Sequence, residues 1–275
     1  MRAAMTLFSL ENRHAVIVGG AGVLGTAIAR GLAAAGARVS VADLRNAEAT
    51  AETLVSEGYD VAGYTTDATD HTALETCADR IVRKRGPVHV LVSAAGGNRP
   101  DATTAPDRAF FDLPLPAMER VVALNLFGGA VIPTQVFART MAHNPEGGSI
   151  ITISSMNAFR PLTRIPGYSA AKAAVSNFTQ WLAVHLAQEY NPKLRVNAIA
   201  PGFFCTEQNR YLLFESDGTT LTERGRRIIA HTPMGRFGIP EELVGPCVWL
   251  ASDASSFVTG VVLPVDGGFN AYAGV

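Results

Sequence analysis

Short runs of β-branched residues alternate along the chain with longer, Ala-rich amphipathic stretches, and this alternation limits the possible folds more than any other feature. The short runs are apolar throughout, which favours strands of a parallel sheet that is covered on both faces. Strands are predicted at residues 15–18, 38–42, 61–64, 88–92, 149–153, 195–200 and 261–265. Helices are predicted at residues 24–35, 47–57, 72–85, 117–142, 168–189 and 241–251. Because crossovers between parallel strands are right-handed, this order predicts a doubly wound α/β sheet of the Rossmann type.

The 275 residues are predicted to form one domain, residues 1–275. No Pro/Gly/Ser-rich boundary and no repeat divides the chain, and a hydrophobic content of 48% is enough for one large core. Residues 203–234 interrupt the alternation with a stretch rich in Phe, Leu, Asn and Arg. This stretch is longer than a simple connector, so we predict that it forms a lid over a substrate.

Charge and cysteine content argue against several classes of protein. The 23 Lys and Arg residues are balanced by 24 Asp and Glu residues, whereas a nucleic-acid binder needs clustered cations to neutralise phosphates. Cys77, Cys205 and Cys247 are too far apart for a disulfide framework or a zinc site, so we expect a reduced, cytoplasmic protein without a metal. Neither a secretory signal nor a membrane span is expected, because the longest uncharged run, residues 121–138, contains Asn, Gln, Gly and Pro.

A glycine-rich turn follows the first predicted strand and opens the first predicted helix. Gly20, Gly22 and Gly25 form the pattern G-x-G-x-x-G. Such a turn lets the backbone approach a pyrophosphate, which the N–H groups and the dipole of the following helix stabilise. A tight turn without a ligand is the alternative interpretation.

Asp43 supports the interpretation as a dinucleotide site. It ends the second predicted strand, 18 residues beyond Gly25, where a carboxylate accepts hydrogen bonds from both adenosine-ribose hydroxyls and repels a 2′-phosphate. We therefore predict NAD rather than NADP as the cofactor. Two alternatives remain: Asp43 caps the next turn, and Arg45 permits some use of NADP.

Tyr168 and Lys172, in Tyr168-Ser-Ala-Ala-Lys172, are the candidates for proton transfer. At i and i+4 of a helix they lie on the same face, so the ammonium is near the phenol. A phenol with a pKa near 10 is a poor base at pH 7, and lowering that pKa by roughly three units requires about 4 kcal/mol of preferential phenolate stabilisation. Lys172 and a nicotinium charge can supply it together. Ser155 lies 13 residues upstream, at the end of a predicted strand, where parallel sheets open into a ligand crevice.

From about Leu10 to its C-terminus the chain resembles the short-chain dehydrogenase/reductase family. The resemblance rests on the glycine loop, Asp67, Ala95-Gly96, Asn125 in Asn-Leu-Phe-Gly128, Ser155, Tyr168/Lys172 and Pro201-Gly202. It implies a catalytic tetrad of Asn125, Ser155, Tyr168 and Lys172. In that tetrad Tyr168 would be the acid/base and Ser155 would bind the substrate oxygen. Lys172 would bind the nicotinamide ribose and lower the pKa of Tyr168, while Asn125 would hold a water in a proton relay.

The resemblance also implies a homotetramer and a set of residues that contact NAD. This set is Gly19, Gly22, Val23, Leu24, Gly25, Asp43, Asp67, Ala68, Ala95, Gly96, Tyr168, Lys172, Pro201, Gly202 and Thr206. The chain departs from the family pattern at Val18 and Val23, where Thr and Gly are usual, and at Ser93-Ala94-Ala95-Gly96, where Asn-Asn-Ala-Gly is usual. We expect these departures to affect cofactor affinity more than the type of reaction.

Further segments are similar to a subgroup of D-mannonate oxidoreductases, also called fructuronate reductases. They begin at Gly96, Ser155, Gly202, Thr232 and Val265. A sugar-acid site needs a cation for the carboxylate and amide or hydroxyl groups for the polyol. The candidates for substrate contacts are Asn98, Ser155, Asn157, Gln208, Asn209 and Arg210. Arg210 is the predicted carboxylate partner, with Arg160 and Arg164 as rivals, and each polar residue has a structural role as its alternative.

The predicted reaction is reversible hydride transfer between NAD(H) and a secondary alcohol or ketone of a sugar acid, with D-mannonate and D-fructuronate as the expected pair. The same machinery acting on another polyol or sugar acid, such as a gluconate, is the alternative enzyme. A non-catalytic NAD(H)-sensing module is the alternative outside catalysis. The complete tetrad argues against that module, since a sensor has no need of it.

Overall fold

The computed structural model of the protein describes residues 6–206 and 209–274 and contains one parallel sheet. Its strands are β1 (His14–Val18), β2 (Arg38–Asp43), β3 (Val61–Thr65), β4 (Val90–Ser93), β5 (Gly148–Ile153), β6 (Leu194–Pro201) and β7 (Val262–Val265). They are arranged in the order β3-β2-β1-β4-β5-β6-β7. The strand order reverses between β1 and β4, and in sheets of this kind ligands bind at the carboxyl ends of the strands beside such a reversal.

The helices of the described residues cover both faces of the sheet. They are α1 (Val23–Ala34), α2 (Ala47–Ser56), α3 (His71–Arg85), α4 (Leu115–Met141), α5 (Pro166–Glu189), α6 (Arg210–Leu213), α7 (Glu223–Ala230) and α8 (Val244–Ala251). Helices α1, α2 and α8 pack on one face, and α3, the end of α4 and α5 pack on the other. The predicted single-domain, doubly wound α/β fold is confirmed.

Alternating side chains of the buried strands supply the two cores. In β1, which is buried along its whole length, Ile17 belongs to the core under α1, whereas Val16 and Val18 belong to the core under α3. This alternation is the period of two that any strand imposes. A strand that is apolar at every position therefore packs against helices on both sides, as the sequence indicates.

Several predicted boundaries differ from the observed ones. Helix α5 begins at Pro166 instead of Tyr168, since proline is well suited to the first turn of a helix, where its missing N–H is not needed. The predicted helix 241–251 is divided into a 3₁₀ turn, Pro240–Leu243, and α8. The segment 203–234, predicted only as a lid, contains the short helices α6 and α7.

Helix α4 contains a π-helical stretch, Ala123–Val131, in its middle. By length and composition alone this helix could cross a membrane, but 56% of its most apolar window is buried inside the molecule. A mostly buried apolar helix is also what the core of a soluble protein contains. The π-helical stretch is of interest because such irregularities are frequent at functional sites.

Candidate active site

A cleft of about 300 Å³ lies at the carboxyl ends of β1, β4, β5 and β6. The turns that follow these four strands contribute most of its walls. Of the predicted site residues, the cleft is lined by Gly19, Gly22, Val23, Leu24, Gly25, Gly96, Ser155, Tyr168, Lys172, Pro201, Gly202, Thr206 and Asn209. Residues that are distant in sequence and were predicted from separate motifs thus meet in one place.

The glycine turn forms a cradle that side chains would fill. Gly19 has a φ of +81°, and a Cβ at this residue would lie 2.4 Å from the backbone N of Ala95. A Cβ at Gly25 would lie 2.4 Å from the carbonyl oxygen of Gly19. Gly22 precedes α1 without a side chain that caps the helix, so the first N–H groups of α1 are available to a ligand beside the cleft. The turn therefore fits the pyrophosphate of a dinucleotide.

Asp43 is attached to this turn. Its Oδ2 accepts a hydrogen bond from the Ala21 N–H at 3.0 Å, and its Oδ1 accepts one from the Arg45 N–H at 3.3 Å. The second bond is the capping contact that the sequence left open as an alternative. The first bond shows that the carboxylate lies beside the glycine turn.

Ser155, Tyr168 and Lys172 converge on the opposite side of the cleft. Ser155 follows β5, and its hydroxyl accepts a hydrogen bond from the Asn157 N–H at 3.2 Å and acts on the pKa of the Tyr168 phenol. The Lys172 Nζ donates to the Ile153 carbonyl at 2.7 Å and lies 5.7 Å from the centre of the Tyr168 ring. A buried hydrogen bond between Thr152 and Thr179, 2.7 Å long, fastens α5 to β5 and so fixes this arrangement.

Burial sets the pKa values of this group. It raises the pKa of the Tyr168 phenol, which the hydrogen bond from Ser155 partly opposes. It also lowers the pKa of Lys172 to about 8. The sequence leads us to expect that Lys172 and a nicotinium charge lower the pKa of Tyr168. In the chain itself burial is the largest effect on the pKa of Tyr168, and the Lys172 ammonium donates to a backbone carbonyl of β5.

Asn125 lies in the π-helical stretch and is fully buried. Its amide donates to the Gly97 carbonyl at 2.7 Å and to the Val121 carbonyl at 2.8 Å, and its Oδ1 accepts from the Gly97 N–H at 3.0 Å. A Cβ at Gly96 would lie 2.8 Å from this Oδ1 and 3.2 Å from the Lys172 Nζ. Asn125 therefore holds the turn after β4 next to Lys172.

Five other predicted residues of the site lie outside the lining of the cleft and make local contacts. Asp67 caps the turn at Thr69, whose N–H and hydroxyl both donate to its Oδ1. Asn98 donates to the Thr103 hydroxyl. The remaining three are Ala68 and Ala95, whose backbones would meet a Cβ added at Gly128 or Gly129 of α4, and Asn157, which accepts from the Leu162 N–H. For Asn98 and Asn157, the structural alternatives are the roles observed.

Arg210 makes its contacts within the predicted lid. Its guanidinium donates to the Gly218 carbonyl at 2.8 Å and lies over the Phe214 ring at 4.8 Å. It is absent from the residues that line the cleft, whereas Asn209 lines it but uses its amide on the Phe204 carbonyl and the Thr206 N–H. Gln208 lies outside the described residues.

Sequence reasoning missed six residues that line the cleft: Ala94, Gly97, Ile153, Ser154, Phe203 and Phe204. Each lies within a few positions of the end of β4, β5 or β6. That proximity was the available signal, since the carboxyl ends of parallel strands form the site in this type of fold. Among the described residues, no group of three His, Cys, Asp or Glu side chains could hold a metal ion.

A model of a known protein family matches residues 19–270, and its description is enoyl-(acyl carrier protein) reductase. A 2-dehydro-3-deoxy-D-gluconate 5-dehydrogenase of Dickeya dadantii is 33% identical over 96% of this chain and 98% of its own length. The chain belongs to the short-chain dehydrogenase/reductase family. It is an oxidoreductase of that family and uses a nicotinamide cofactor.

Two other members of the short-chain dehydrogenase/reductase family are informative. An uncharacterized oxidoreductase of Bacillus subtilis, UxuB, is 44% identical over 97% of this chain and 98% of its own length. A crystal structure from Haemophilus influenzae, named as a candidate D-mannonate oxidoreductase and holding NAD, is 43% identical with a TM-score of 0.90. That comparison covers 99% of this chain and 100% of the other.

A gluconate 5-dehydrogenase of Burkholderia cenocepacia, solved with NADP and tartrate, is also similar. It is 32% identical, with a TM-score of 0.85, and the comparison covers 98% of this chain and all of that one. One of these two relatives was therefore solved with NAD and the other with NADP, and both are named after a sugar acid.

Proposed function

We propose that the protein transfers a hydride reversibly between NAD(H) and a secondary alcohol or ketone of a sugar acid, with D-mannonate and D-fructuronate as the pair. The observation that carries this proposal is that Ser155 and Tyr168 line one cleft together with Lys172 and the glycine cradle. A phenol and a hydroxyl side by side can both bind one substrate oxygen, and one of them can exchange a proton with it.

Each residue then has a distinct task. The nicotinamide cofactor, when bound, would supply the hydride acceptor for oxidation and the hydride donor for reduction. Ser155 holds the substrate oxygen, and Tyr168 accepts the alcohol proton or returns it to the ketone oxygen. Lys172 would hold the nicotinamide ribose, and its ammonium would favour the phenolate. Asn125 keeps the turn after β4 beside Lys172 through its two hydrogen bonds to Gly97.

The preference for NAD rests on Asp43. Its carboxylate is held at the glycine turn by the Ala21 N–H, where it can accept bonds from ribose hydroxyls and would repel a 2′-phosphate. The other residues that would hold the cofactor are Gly19, Gly22, Val23, Leu24, Gly25, Gly96, Pro201, Gly202 and Thr206, all of which line the cleft.

A sugar-acid substrate is supported by the relatives. The structure named as a candidate D-mannonate oxidoreductase shares 43% of its residues with this chain, whereas the gluconate 5-dehydrogenase shares 32%. Residues 203–234 would form the lid, because Phe203, Phe204, Thr206 and Asn209 line the cleft and α6 and α7 follow them directly.

The test is a panel of sugar acids and neutral polyols, assayed with NAD and with NADP by absorbance of the reduced cofactor. We expect the highest kcat/KM with D-mannonate and NAD, and a smaller difference between the two cofactors in Asp43→Ser. A higher kcat/KM with a gluconate than with D-mannonate would show that a gluconate is the substrate, as in the alternative enzyme. Equal kcat/KM values with both cofactors would refute the role of Asp43.

We further propose that the protein is a cytoplasmic homotetramer. Cys77, Cys205 and Cys247 are all free thiols in the structure, as a reducing compartment allows. Helix α5 exposes Trp181, which stacks with Phe178 at 6.2 Å and with His185 at 4.7 Å between ring centres. An aromatic surface of this kind favours contact with another subunit.

Light scattering coupled to gel filtration tests the assembly. Trp181→Glu should reduce the molecular mass to that of a dimer or monomer. Phe257→Glu, which changes a fully exposed ring elsewhere on the surface, is the control and should leave the mass unchanged. A monomeric wild-type protein would exclude the tetramer.

A further inference from the structure

A second cavity, of about 360 Å³, adjoins the cleft of the active site. It lies between residues 162–165, which precede α5, and the lid helix α7. Phe203 lines both the cleft and this cavity. The Phe203 ring packs edge-on against Phe269 at 5.3 Å, so the two rings form an apolar wall of the cavity. Phe203 is therefore the side chain that separates the two spaces and that both of them contact.

The cavity carries an excess of positive charge. Arg164, Arg224, Arg227, His231 and Glu223 are its titratable residues. Glu223 forms an ion pair with Arg227, which leaves the charges of Arg164 and Arg224. Over residues 6–206 and 209–274, the guanidinium groups of these two arginines have neither a hydrogen bond nor a carboxylate within 4.0 Å.

Arg164 and Arg224 line the same cavity, where their like charges act on each other. Burial lowers the pKa of Arg224, and the charge of Arg164 lowers it further. An arginine nevertheless stays charged at any physiological pH. Both residues are exposed, so water weakens this repulsion, and an anion between the two guanidinium groups would remove the rest. Guanidinium groups also match the geometry of a carboxylate, which accepts two parallel N–H bonds from one of them.

The backbone at Arg164 is fixed from two sides. The Thr104 N–H donates to the Arg164 carbonyl at 2.9 Å, and the Leu162 N–H donates to the Asn157 Oδ1 at 2.9 Å. Arg164 is thereby held on the segment that joins Ser155 to Tyr168. Arg224, in contrast, lies on α7 in the predicted lid. A ligand that contacts both arginines therefore connects the lid to the rigid part of the site.

We propose that Arg164 and Arg224 together bind the carboxylate of the sugar acid while its alcohol carbon lies at Ser155 and Tyr168 in the adjoining cleft. This inference rests on the proposed function and specifies how that function selects acids over neutral polyols. The carboxylate partner is then this pair of arginines and not Arg210, whose guanidinium already contacts Gly218 and Phe214. Asn157 becomes a positioning residue, because it holds the segment that carries Arg164.

The test compares Arg164→Gln, Arg224→Gln and the double variant with wild type. Arg226→Gln is the matched control, because Arg226 lies on the same helix but is bound to the Leu221 carbonyl and does not line the cavity. We expect each single change to raise the KM for D-mannonate about tenfold and the double change about a hundredfold, equivalent to roughly 1.4 and 2.8 kcal/mol. The KM for NAD should stay within twofold of wild type.

Two further measurements separate carboxylate binding from structural damage. D-mannitol, followed as a substrate or as a competitive inhibitor, has no carboxylate and should bind equally to wild type and to the double variant. The melting temperature of the double variant should equal or exceed that of wild type, since a repulsion is removed. An unchanged KM for D-mannonate, or an equal loss of D-mannitol affinity, would overturn the proposal.

Failure of the proposed function is distinguishable from failure of this inference. If wild type turns over none of the sugar acids, the proposed function fails, and equilibrium binding of D-mannonate to wild type and the double variant in the presence of NADH then tests the arginines. Weaker binding by the double variant supports the inference, and equal binding refutes it. Normal turnover with equal KM values refutes the inference alone.

Discussion

At the scale of single residues, the chemistry depends on the environment of one phenol. Burial raises the pKa of Tyr168, and the hydrogen bond from Ser155 opposes this effect. A protonated Tyr168 is ready to donate to a ketone oxygen, whereas oxidation of an alcohol needs the phenolate. The two directions of the proposed reaction therefore place opposite demands on the same group.

Tyr168→Phe should abolish turnover in both directions and leave NADH binding within a few-fold of wild type. The substitution removes the exchangeable proton and keeps the ring, and general acid–base catalysis contributes about 10² to 10⁴ in rate. Stopped-flow turnover and fluorescence titration with NADH measure the two quantities. A variant that retained a tenth of the wild-type rate would exclude Tyr168 as the acid/base.

Ser155→Ala should shift the pH profile of alcohol oxidation to higher pH. The hydrogen bond from Ser155 lowers the pKa of Tyr168, so its removal lets burial raise that pKa further and delays formation of the phenolate. The profile of kcat/KM against pH is the measurement, and kcat should also fall about a hundredfold through loss of a group that holds the substrate oxygen. Ser155→Thr keeps the hydroxyl and should keep the midpoint. Identical midpoints in wild type and Ser155→Ala would contradict this account.

At the scale of elements, the strands and the helical pair Tyr168/Lys172 were predictable because they depend on local patterns. β1 is apolar at every position after His14, and a Tyr and a Lys four residues apart share a helix face in any context. The π-helical stretch around Asn125 was not predictable, because the hydrogen bonds of its side chain to Gly97 depend on the neighbouring turn. Nor was the presence of Arg164 and Arg224 in one cavity, since they are 60 positions apart and are brought to it only by packing of the lid.

Contact between α1 and α8 requires a glycine. A Cβ at Gly31 would lie 2.3 Å from Cγ1 of Val244, so the two helices would have to separate to admit a methyl group. Overpacking of this kind typically costs about 1–3 kcal/mol. The helices can therefore approach this closely only because one side of the contact has no side chain.

Gly31→Ala should accordingly reduce the free energy of unfolding by about 1–3 kcal/mol, despite the higher helix propensity of alanine. Val244→Ala in the same chain should restore part of the loss, since it removes the methyl groups that clash. Gly245→Ala is the control on α8, because a Cβ there meets nothing within 4 Å. Urea unfolding of wild type, Gly31→Ala, Val244→Ala, the double variant and Gly245→Ala measures the effect, and additive losses in the double variant would show that the two residues do not interact.

At the scale of the whole molecule, the sheet has a functional end and a structural end. The active site lies at the carboxyl ends of the strands, and His14 is buried at the opposite end, where β1 begins. Its ring lies 3.1 Å from the Gly86 carbonyl and 2.9 Å from the Ser40 hydroxyl. Because a carbonyl can only accept a hydrogen bond, Nδ1 carries the proton and Nε2 accepts from the Ser40 hydroxyl. Both ring nitrogens of the neutral imidazole are thereby satisfied. The two bonds connect β1 to β2 and to the turn before β4.

Burial, followed by the charges of Arg85 and Arg38, lowers the pKa of His14 to about 4. In the unfolded chain that pKa returns to about 6.5, so below pH 6.5 the unfolded state binds more protons than the folded one. The stability that neutral His14 contributes is therefore complete above pH 6.5 and is lost as the pH falls to about 4. The shift from 6.5 to about 4 corresponds to about 3 kcal/mol.

His14→Gln should therefore lose less stability than wild type between pH 7 and pH 4.5, although it starts from a lower value at pH 7. The measurement is urea unfolding at fixed protein concentration across this range, since assembly changes apparent stability.

Carboxylates titrate in both proteins, so the difference between their curves isolates the histidine. His143→Gln, at an exposed position, should follow the wild-type curve. Parallel curves for wild type and His14→Gln would mean that another group controls the acid sensitivity of the fold. The next residue to substitute would then be His89, because burial lowers its pKa as well.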